Sequence, residues 1–388
     1  MKKILIVIDN LNTGGVATSL YNYLNAMSDK AHYDLLVFNE DSIKLNEIST
    51  NVNILKTQKV LHILGKTNKE MQKESKILAF IRIILQIIAK YVNGVFARNM
   101  LMPFIKSLGE YDIAIAYSQD DAWKNLSKGC IDFVLRKVKA SKKSVIVHCD
   151  YKMFGGFDGK QENQYKMLDN VICVSESCRK NFCECFPNLI NKTIVCENFI
   201  NSNKILRMSN QAIEYPKDSI NFVSISRLSK EKGLSRVVTI LSNLYKKNLT
   251  NFTWTIVGDG PEYDLLNKEI INNNLQKKII MVGNKENPYT YLKNADALLV
   301  PSFNEAAPMV FGESAVLGVP IVTTETCSAI EMVEKRDLGY VITNDSKDIE
   351  VFLENVLLGE IDLVHKLNVV DINENALIQA DKFINHDN

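Results

Sequence analysis

Apolar residues in this chain gather into short, nearly continuous runs rich in Val, Ile and Leu, separated by stretches with helical three-and-four spacing. A run such as Lys3-Ile4-Leu5-Ile6-Val7-Ile8-Asp9 has apolar side chains at successive positions. That suits a strand buried on both faces, as the strands of a parallel sheet are. Runs of this kind predict strands at about 3–9, 33–39, 112–117, 144–148, 170–174 and 192–196. They resume at about 219–226, 252–257, 279–282, 296–300, 320–323 and 338–342. Helical spacing fills the gaps, for example over 16–27, 233–246 and 310–318. Strand and helix in alternation make this an α/β protein of doubly wound parallel sheets. Ligands of such sheets settle beyond the carboxyl ends of the strands. Two sheets facing across a cleft would therefore set two ligand surfaces opposite each other.

The alternation pauses once, at 198–204 and the polar stretch 209–218 that contains Pro216, which reads as a linker. Domains are accordingly expected over 1–203 and 204–375, with a tail, 376–388, crossing back to the first. The 388 residues, 46% apolar and 23% charged, have the balance of a folded protein and exclude disordered or collagen-like chains. The net charge of +1 excludes the basic excess of a nucleic-acid binder. The N-terminal apolar run is too short for a signal peptide, and no uninterrupted stretch reaches the ~20 apolar residues of a membrane span. The expected location is cytoplasmic. The eight cysteines have no repeated spacing, and Cys183-Glu184-Cys185 stands without a partner pair, so no metal site is expected.

One segment changes the picture. Residues 66–106 hold eight basic residues against two acidic ones, Glu70 and Glu74, and 77–97 is dominated by aliphatics. Arg82, Gln86, Lys90, Gly94 and Arg98 recur at every fourth position and would form one polar stripe on an apolar rod. Two readings stand side by side. The stripe either lies on the inner membrane surface or belongs to a helix packed in its own domain with its charges solvated at the edge.

Candidate chemistry sits where strands meet helices. Gly14-Gly15 separates the first strand from its helix, and such a turn lets backbone N–H groups approach a phosphate at a helix N-terminus; a purely structural tight turn fits as well. After strand 219–226 comes Ser226-Arg227-Leu228-Ser229-Lys230-Glu231-Lys232-Gly233. Arg227 and Lys232 could converge there on a diphosphate, the first by forked hydrogen bonds and the second as a point charge. Taken alone, the stretch fits a solvated loop. Val257-Gly258-Asp259-Gly260-Pro261-Glu262 is again strand, glycine turn and helix start, with Pro261 suited to a first helical position.

The most informative stretch is Pro301-Ser302-Phe303-Asn304-Glu305-Ala306-Ala307-Pro308-Met309-Val310-Phe311-Gly312-Glu313, which leaves a buried strand and enters a helix. Glu305 and Glu313 are eight positions apart, and eight residues at roughly 100° each return to nearly one face. A carboxylate accepts paired hydroxyl hydrogen bonds, so two of them could grip the two vicinal diols of a nucleotide sugar. The plainer reading makes Glu305 a dipole-favoured acid at a helix start and Glu313 an exposed helical charge.

In this order, Gly14-Gly15, the 226–233 stretch, the 257–262 turn and the Glu305/Glu313 pair followed by Leu317-Gly318-Val319-Pro320 resemble the retaining glycosyltransferases of family 4. The likeness covers nearly the whole chain. It implies the GT-B fold, with a first Rossmann-like domain for the acceptor and a second for the nucleotide sugar. It further implies that Glu313 holds the ribose hydroxyls and that Glu305 meets the donor sugar. Arg227 and Lys232 would hold the diphosphate, aided by Gly14, Gly15, Gly258 and the backbone of Ala306, Ala307, Met309 and Val310. His148, ending the strand Val145-Ile146-Val147-His148, would stand near the reacting sugar. The implied catalytic set is His148, Glu305, Arg227 and Lys232. Asp120-Asp121 reads as a helix start rather than a metal-binding acidic pair, so neither metal nor cofactor is expected.

The implied reaction moves a hexosyl unit from a nucleotide diphosphate sugar, UDP-linked, to a saccharide acceptor, with a lipid-linked one favoured by the 66–106 segment, as in surface-polysaccharide synthesis. A same-fold nucleotide-sugar epimerase and a non-catalytic partner subunit are the alternatives. Two departures from the family pattern bear on donor identity. Ala306-Ala307-Pro308 replace the usual glycines, and Thr326-Cys327-Ser328-Ala329-Ile330-Glu331 replaces a glycine turn, with Ser328 and Glu331 spaced as a capping box.

Overall fold

The computed structural model describes residues 1–12, 14–120, 124–126, 128–153, 160–363 and 372–385. The chain divides into two compact units. The first comprises Met1–Phe199 and the C-terminal segment from Glu374, and the second Ile200–Asn373. The sequence placed these boundaries at 203/204 and 375/376.

In the first unit, seven parallel strands form one sheet: β1 (Lys3–Ile8), β2 (His32–Val37), β3 (Val52–Ile54), β4 (Leu108–Ala116), β5 (Val138–Val147), β6 (Asn170–Cys173) and β7 (Thr193–Val195). Their order is β3-β2-β1-β4-β5-β6-β7. All but the first residue of β1 are buried, as its unbroken apolar run requires. The three-residue β3 was not anticipated, because Val52-Asn53-Ile54 is too short to show a period. The C-terminal helix Glu374–Asn385 belongs to this unit. There the Glu197 N–H donates to Gln379 Oε1 at 2.8 Å, and Lys142 Nζ lies 5.5 Å from the centre of the Phe383 ring.

The second unit holds six parallel strands: β8 (Ile220–Ile225), β9 (Phe252–Val257), β10 (Ile279–Gly283), β11 (Ala297–Val300), β12 (Ile321–Thr324) and β13 (Gly339–Ile342). Their order is β10-β9-β8-β11-β12-β13. Trp254 of β9 is fully buried in its core, and its indole N–H donates to Ser224 Oγ at 2.9 Å. That hydroxyl in turn donates to the Leu299 carbonyl at 2.5 Å. The polar handle of a large aromatic residue is thus satisfied inside the core. In both sheets the strand order reverses between the first and fourth strands of the unit, β1/β4 and β8/β11. Such a switch point is where open α/β sheets receive ligands.

The 66–106 segment corrects the expected stripe. It forms three α-helices, Asn68–Glu74, Lys76–Tyr91 and Gly94–Asn99, and a 3-10 turn, Met102–Phe104, rather than one rod. Arg82 is buried, donating to the Ile63 carbonyl and to Asn68 Oδ1. Arg98 is buried too, its Nε 2.6 Å from Asp132 Oδ2 and its Nη2 3.1 Å from Asp120 Oδ2. The regular four-residue spacing therefore marks inward-facing groups that tie the helices to the unit, with only Lys90 fully outward.

Candidate functional site

At the switch point of the second unit, backbone segments are pressed together by glycines. Gly233 (φ +65°) caps the helix Leu234–Lys246, and a Cβ there would lie 2.1 Å from the Pro301 carbonyl oxygen. Gly258 (φ +148°) follows β9, and its Cβ would lie 1.8 Å from the Ser226 carbonyl oxygen. Only glycine permits such approach and such dihedrals. The exits of β8, β9 and β11 are thereby drawn into one rim. Pro261 precedes the helix rather than opening it, because the helix spans Tyr263–Asn272.

Further bonds fix the β11 exit against the β8 exit. The Phe303 N–H donates to the Glu231 carbonyl at 2.8 Å. Arg236 donates to the Pro301 carbonyl at 2.6 and 3.1 Å, and its guanidinium lies 4.1 Å from the centre of the Phe303 ring. Thr324 Oγ1 donates to the Ser302 carbonyl, and the Asn344 amide donates to the Phe303 carbonyl. On this scaffold Lys232 Nζ meets Glu305 Oε1 at 2.6 Å, and Ser302 Oγ donates to the same oxygen at 2.7 Å. The Glu305 side chain is 11% exposed and that of Lys232 21%. A pair so shielded is less screened than a surface ion pair.

Arg227 is different. Its side chain is 70% exposed and pairs with Glu231 Oε1 at 2.8 Å. Ser229 Oγ donates to that oxygen as well. Burial opposes ionisation of Glu231, yet the bonds from Ser229 and Arg227 hold its carboxyl down to about 2. The sequence alone presents Arg227 and Lys232 as two cations that could converge on a diphosphate. In the structure each already holds a carboxylate. The four-residue spacing from Arg227 to Glu231 was the available signal.

Glu313 lies on the helix Met309–Leu317, which begins after Pro308 with no side-chain cap. The same-face argument from the eight-residue spacing therefore fails, because Glu305 stands in the loop four residues before the helix begins. What sets Glu305 is the β11 exit and its bonds to Lys232 and Ser302. Ala306 and Ala307 continue that loop, and the amides of Met309 and Val310 open the helix, where N–H groups lack intrahelical acceptors. Burial pushes the Glu313 carboxyl up to about 7, against the Tyr289 hydroxyl, 3.4 Å from Oε1, and the positive charge of Lys204. No local pattern signals Tyr289, which is 24 positions from Glu313.

This shift fixes a sign. A carboxyl raised from 4.5 to about 7 by folding favours the folded state fully below pH 4.5, and that contribution is lost as pH rises through about 7. Glu313→Gln should remove it. The stability of the parent relative to this variant is then expected to fall between pH 4.5 and 7 in denaturant titrations. Parallel curves over that range would contradict the burial argument.

The exit of β12 departs from expectation. Ser328 makes no capping box: the following turn is a wide π-helix, Ile330–Glu334, with Ala329 at its N-cap. The Ser328 Oγ is buried with no hydrogen-bond partner among the described residues, as is that of Ser226 at the β8 exit.

In the first unit, Gly14 (φ +154°) caps the helix Gly15–Met27 without a side chain, and a Cβ there would meet nothing within 4 Å. The Gly15 and Val16 amides open that helix beside this space. His148 follows β5, its N–H donating to Gln119 Oε1 and its Nε2 lying 3.0 Å from the Tyr117 carbonyl oxygen. A carbonyl only accepts, so Nε2 carries the proton and Nδ1 presents a lone pair. Burial lowers the imidazole to about 4, outweighing the Tyr117 bond, and the ring is neutral at pH 7. Asp120 is a buried counter-ion of Arg98, and its carboxyl also accepts the Gly129 N–H at 2.9 Å. The residues that follow Asp120 and would make it a helix start, 121–123, Asp121 among them, lie outside the described residues. Among the described residues, no three His, Cys, Asp or Glu side chains gather as a metal site requires.

Comparison with known proteins bears on this geometry. The model of the family described as glycosyl transferases group 1 matches residues 208–367. An uncharacterized glycosyltransferase of Methanocaldococcus jannaschii is 29% identical over 192 residues, covering 45% of this chain and 46% of that protein. The amylovoran biosynthesis glycosyltransferase AmsK of Erwinia amylovora is 28% identical over 154 residues, 37% of this chain and 38% of its own length. The chain thus spans less than half the length of these relatives. Among solved structures, HepE of Anabaena in complex with UDP superposes with a TM-score of 0.61 at 15% identity, covering 99% of this chain and 96% of that one. The fold is the GT-B fold of such glycosyltransferases, with two Rossmann-like parallel-sheet units.

Proposed function

We propose that this chain, which carries a group 1 glycosyltransferase domain over residues 208–367, moves a hexosyl unit from a UDP-linked sugar to a saccharide acceptor with retention at the anomeric carbon. The observation that carries this reading is the Lys232–Glu305 pair at the β11 exit, which leads into the uncapped helix that bears Glu313. Relatives named for polysaccharide biosynthesis, and UDP bound in HepE, support the choice of chemistry and base.

When the C1–O bond to the diphosphate breaks, its electron pair stays on the phosphate oxygen, and negative charge grows there. In this reading Lys232, the amides of Met309 and Val310, and Arg227 once it exchanges Glu231 for phosphate, stabilise that charge. Such preorganised electrostatics usually contribute most to catalysis. The acceptor oxygen bonds C1 on the same face, and its proton passes to the departing phosphate. No protein nucleophile is needed. Glu305, held by Lys232 and Ser302, keeps its second oxygen for a sugar hydroxyl, and Glu313 takes the ribose diol. In the first unit, His148 Nδ1 suits a sugar hydroxyl, while the Gly14 and Gly15 amides suit a phosphate oxygen. No metal enters these steps.

The acceptor in this reading is lipid-linked, and the enzyme acts in the cytoplasm as a peripheral protein at the inner face of the cell membrane. The test is a panel of nucleotide sugars with chelator present, scored by thermal shift and by release of nucleoside diphosphate. One donor is expected to raise the melting temperature and to be consumed. An interconverted sugar without acceptor would assign an epimerase, and no binding or release at all would assign a non-catalytic partner.

A further inference from the structure

The helix Lys76–Tyr91 shows its apolar side to water. Ala79, Arg82, Leu85 and Ala89 are buried. Ile77, Phe80, Ile83, Ile84, Ile87 and Tyr91 are exposed, with Ile77, Phe80 and Tyr91 at 74, 64 and 77%. At 100° per residue these six residues fall within an arc of roughly 120° on the side away from the buried four. A helix packed on its own domain turns its apolar stripe inward; this one buries its arginine beside Leu85 and two alanines and turns four of its six isoleucines outward. The exposed apolar character continues through Val92, Phe96, Met100 and Phe104. So long a run of large exposed apolar residues marks an interaction surface rather than scattered surface hydrophobics.

Charge selects the occupant. Lys69, Lys73, Lys76, Lys90 and Lys106 are exposed around this run, and no Asp or Glu occurs between residues 75 and 107. A second copy docking by the same face would oppose lysine to lysine. An anionic lipid surface satisfies both features at once, the acyl boundary taking the isoleucines and Phe80 while headgroup phosphates take the lysines. The helix has 16 residues, and no helix among the described residues is long and apolar enough to cross a membrane.

We propose that the outward arc of Lys76–Tyr91 lies in the headgroup layer of an anionic bilayer, with Arg82 facing away from the lipid. This deepens the peripheral reading above and specifies its contact as the side opposite to the one the sequence stripe suggested. It is independent of the donor chemistry.

The test is co-sedimentation of the full chain, without nucleotide sugar, with vesicles of phosphatidylglycerol and phosphatidylcholine or of phosphatidylcholine alone. Binding is expected to the anionic vesicles, to weaken with salt, and to be lost in I84E/I87E. Neutralising Lys73, Lys76 and Lys90 together to Gln should lower partitioning about a hundredfold, at about fivefold per lysine. These lysines are exposed, so this variant decides the matter even if I84E/I87E fails to fold. Anionic-vesicle binding unchanged in the lysine variant would refute this face while leaving peripheral attachment elsewhere. Absence of binding by the parent would refute both. A dimer in sedimentation velocity that I84E/I87E splits, without vesicle binding, would assign the face to a second copy.

Discussion

Replacing Lys232 with alanine is expected to lower turnover on a nucleotide sugar by about 10²–10³-fold, the range for removing one preorganised donor from a site where charge develops. Two effects act together. The ammonium that would meet the leaving diphosphate disappears, and Glu305, 11% exposed, loses the partner that compensates its burial. Its oxygen keeps only the Ser302 hydroxyl, 2.7 Å away. Lys232→Arg keeps the charge but replaces a compact point donor by a planar fork, and should recover part of the loss. Nucleoside diphosphate release under saturating donor reads the effect. Arg227→Ala, which removes a side chain 70% exposed, should cost less. Equal, near-parental rates in both alanine variants would remove Lys232 from the mechanism.

The largest effect on stability is expected at Gly258. An alanine Cβ would stand 1.8 Å from the Ser226 carbonyl oxygen, and φ of +148° disfavours any side chain. The neighbour is backbone, so relief requires the β8 and β9 exits to part. Gly258→Ala should cost about 3 kcal/mol or more, at the upper end of single substitutions. For a unit of this size that corresponds to roughly 6–12 °C in Tm. Gly318, with φ of +68° and open space where its Cβ would be, is the control. Gly318→Ala pays only for the left-handed backbone, about 1–2 kcal/mol. Because the Gly258 clash moves the loop that carries Arg227 and Lys232, donor binding should weaken as well. Similar melting of the two variants would show that the close approach carries no energetic weight.

Much of this fold is legible in the sequence because buried parallel strands leave unbroken apolar runs. Twelve strands and their order along the chain follow from such runs, and only Val52–Ile54 is too short to announce itself. Candidate residues at strand ends were legible for the same reason: once β8 and β11 are placed, Arg227, Lys232 and Glu305 must fall at their carboxyl ends. Spacing signals the local Arg227–Glu231 pair but not the charges that meet across the fold. The Lys232–Glu305 contact joins residues 73 positions apart. The Arg236 clamp on Pro301, 65 positions away, and the Tyr289 hydroxyl on Glu313 are equally non-local. Periodicity also misled where two explanations share a period. Every-fourth polar residues over 82–98 mark an inward face, because buried acceptors and Asp132 satisfy the arginines. The Ser328–Glu331 spacing failed as a cap because the chain there takes a π-turn, which no local pattern signals.

The most direct test of the central claim is a crystal structure of the chain with a bound UDP-sugar. The account predicts the diphosphate within hydrogen-bonding distance of Lys232 Nζ and the Met309 and Val310 amides, the ribose on Glu313 and the sugar on Glu305. A diphosphate bound away from the β8 and β11 exits, with the Lys232–Glu305 pair untouched, would contradict it.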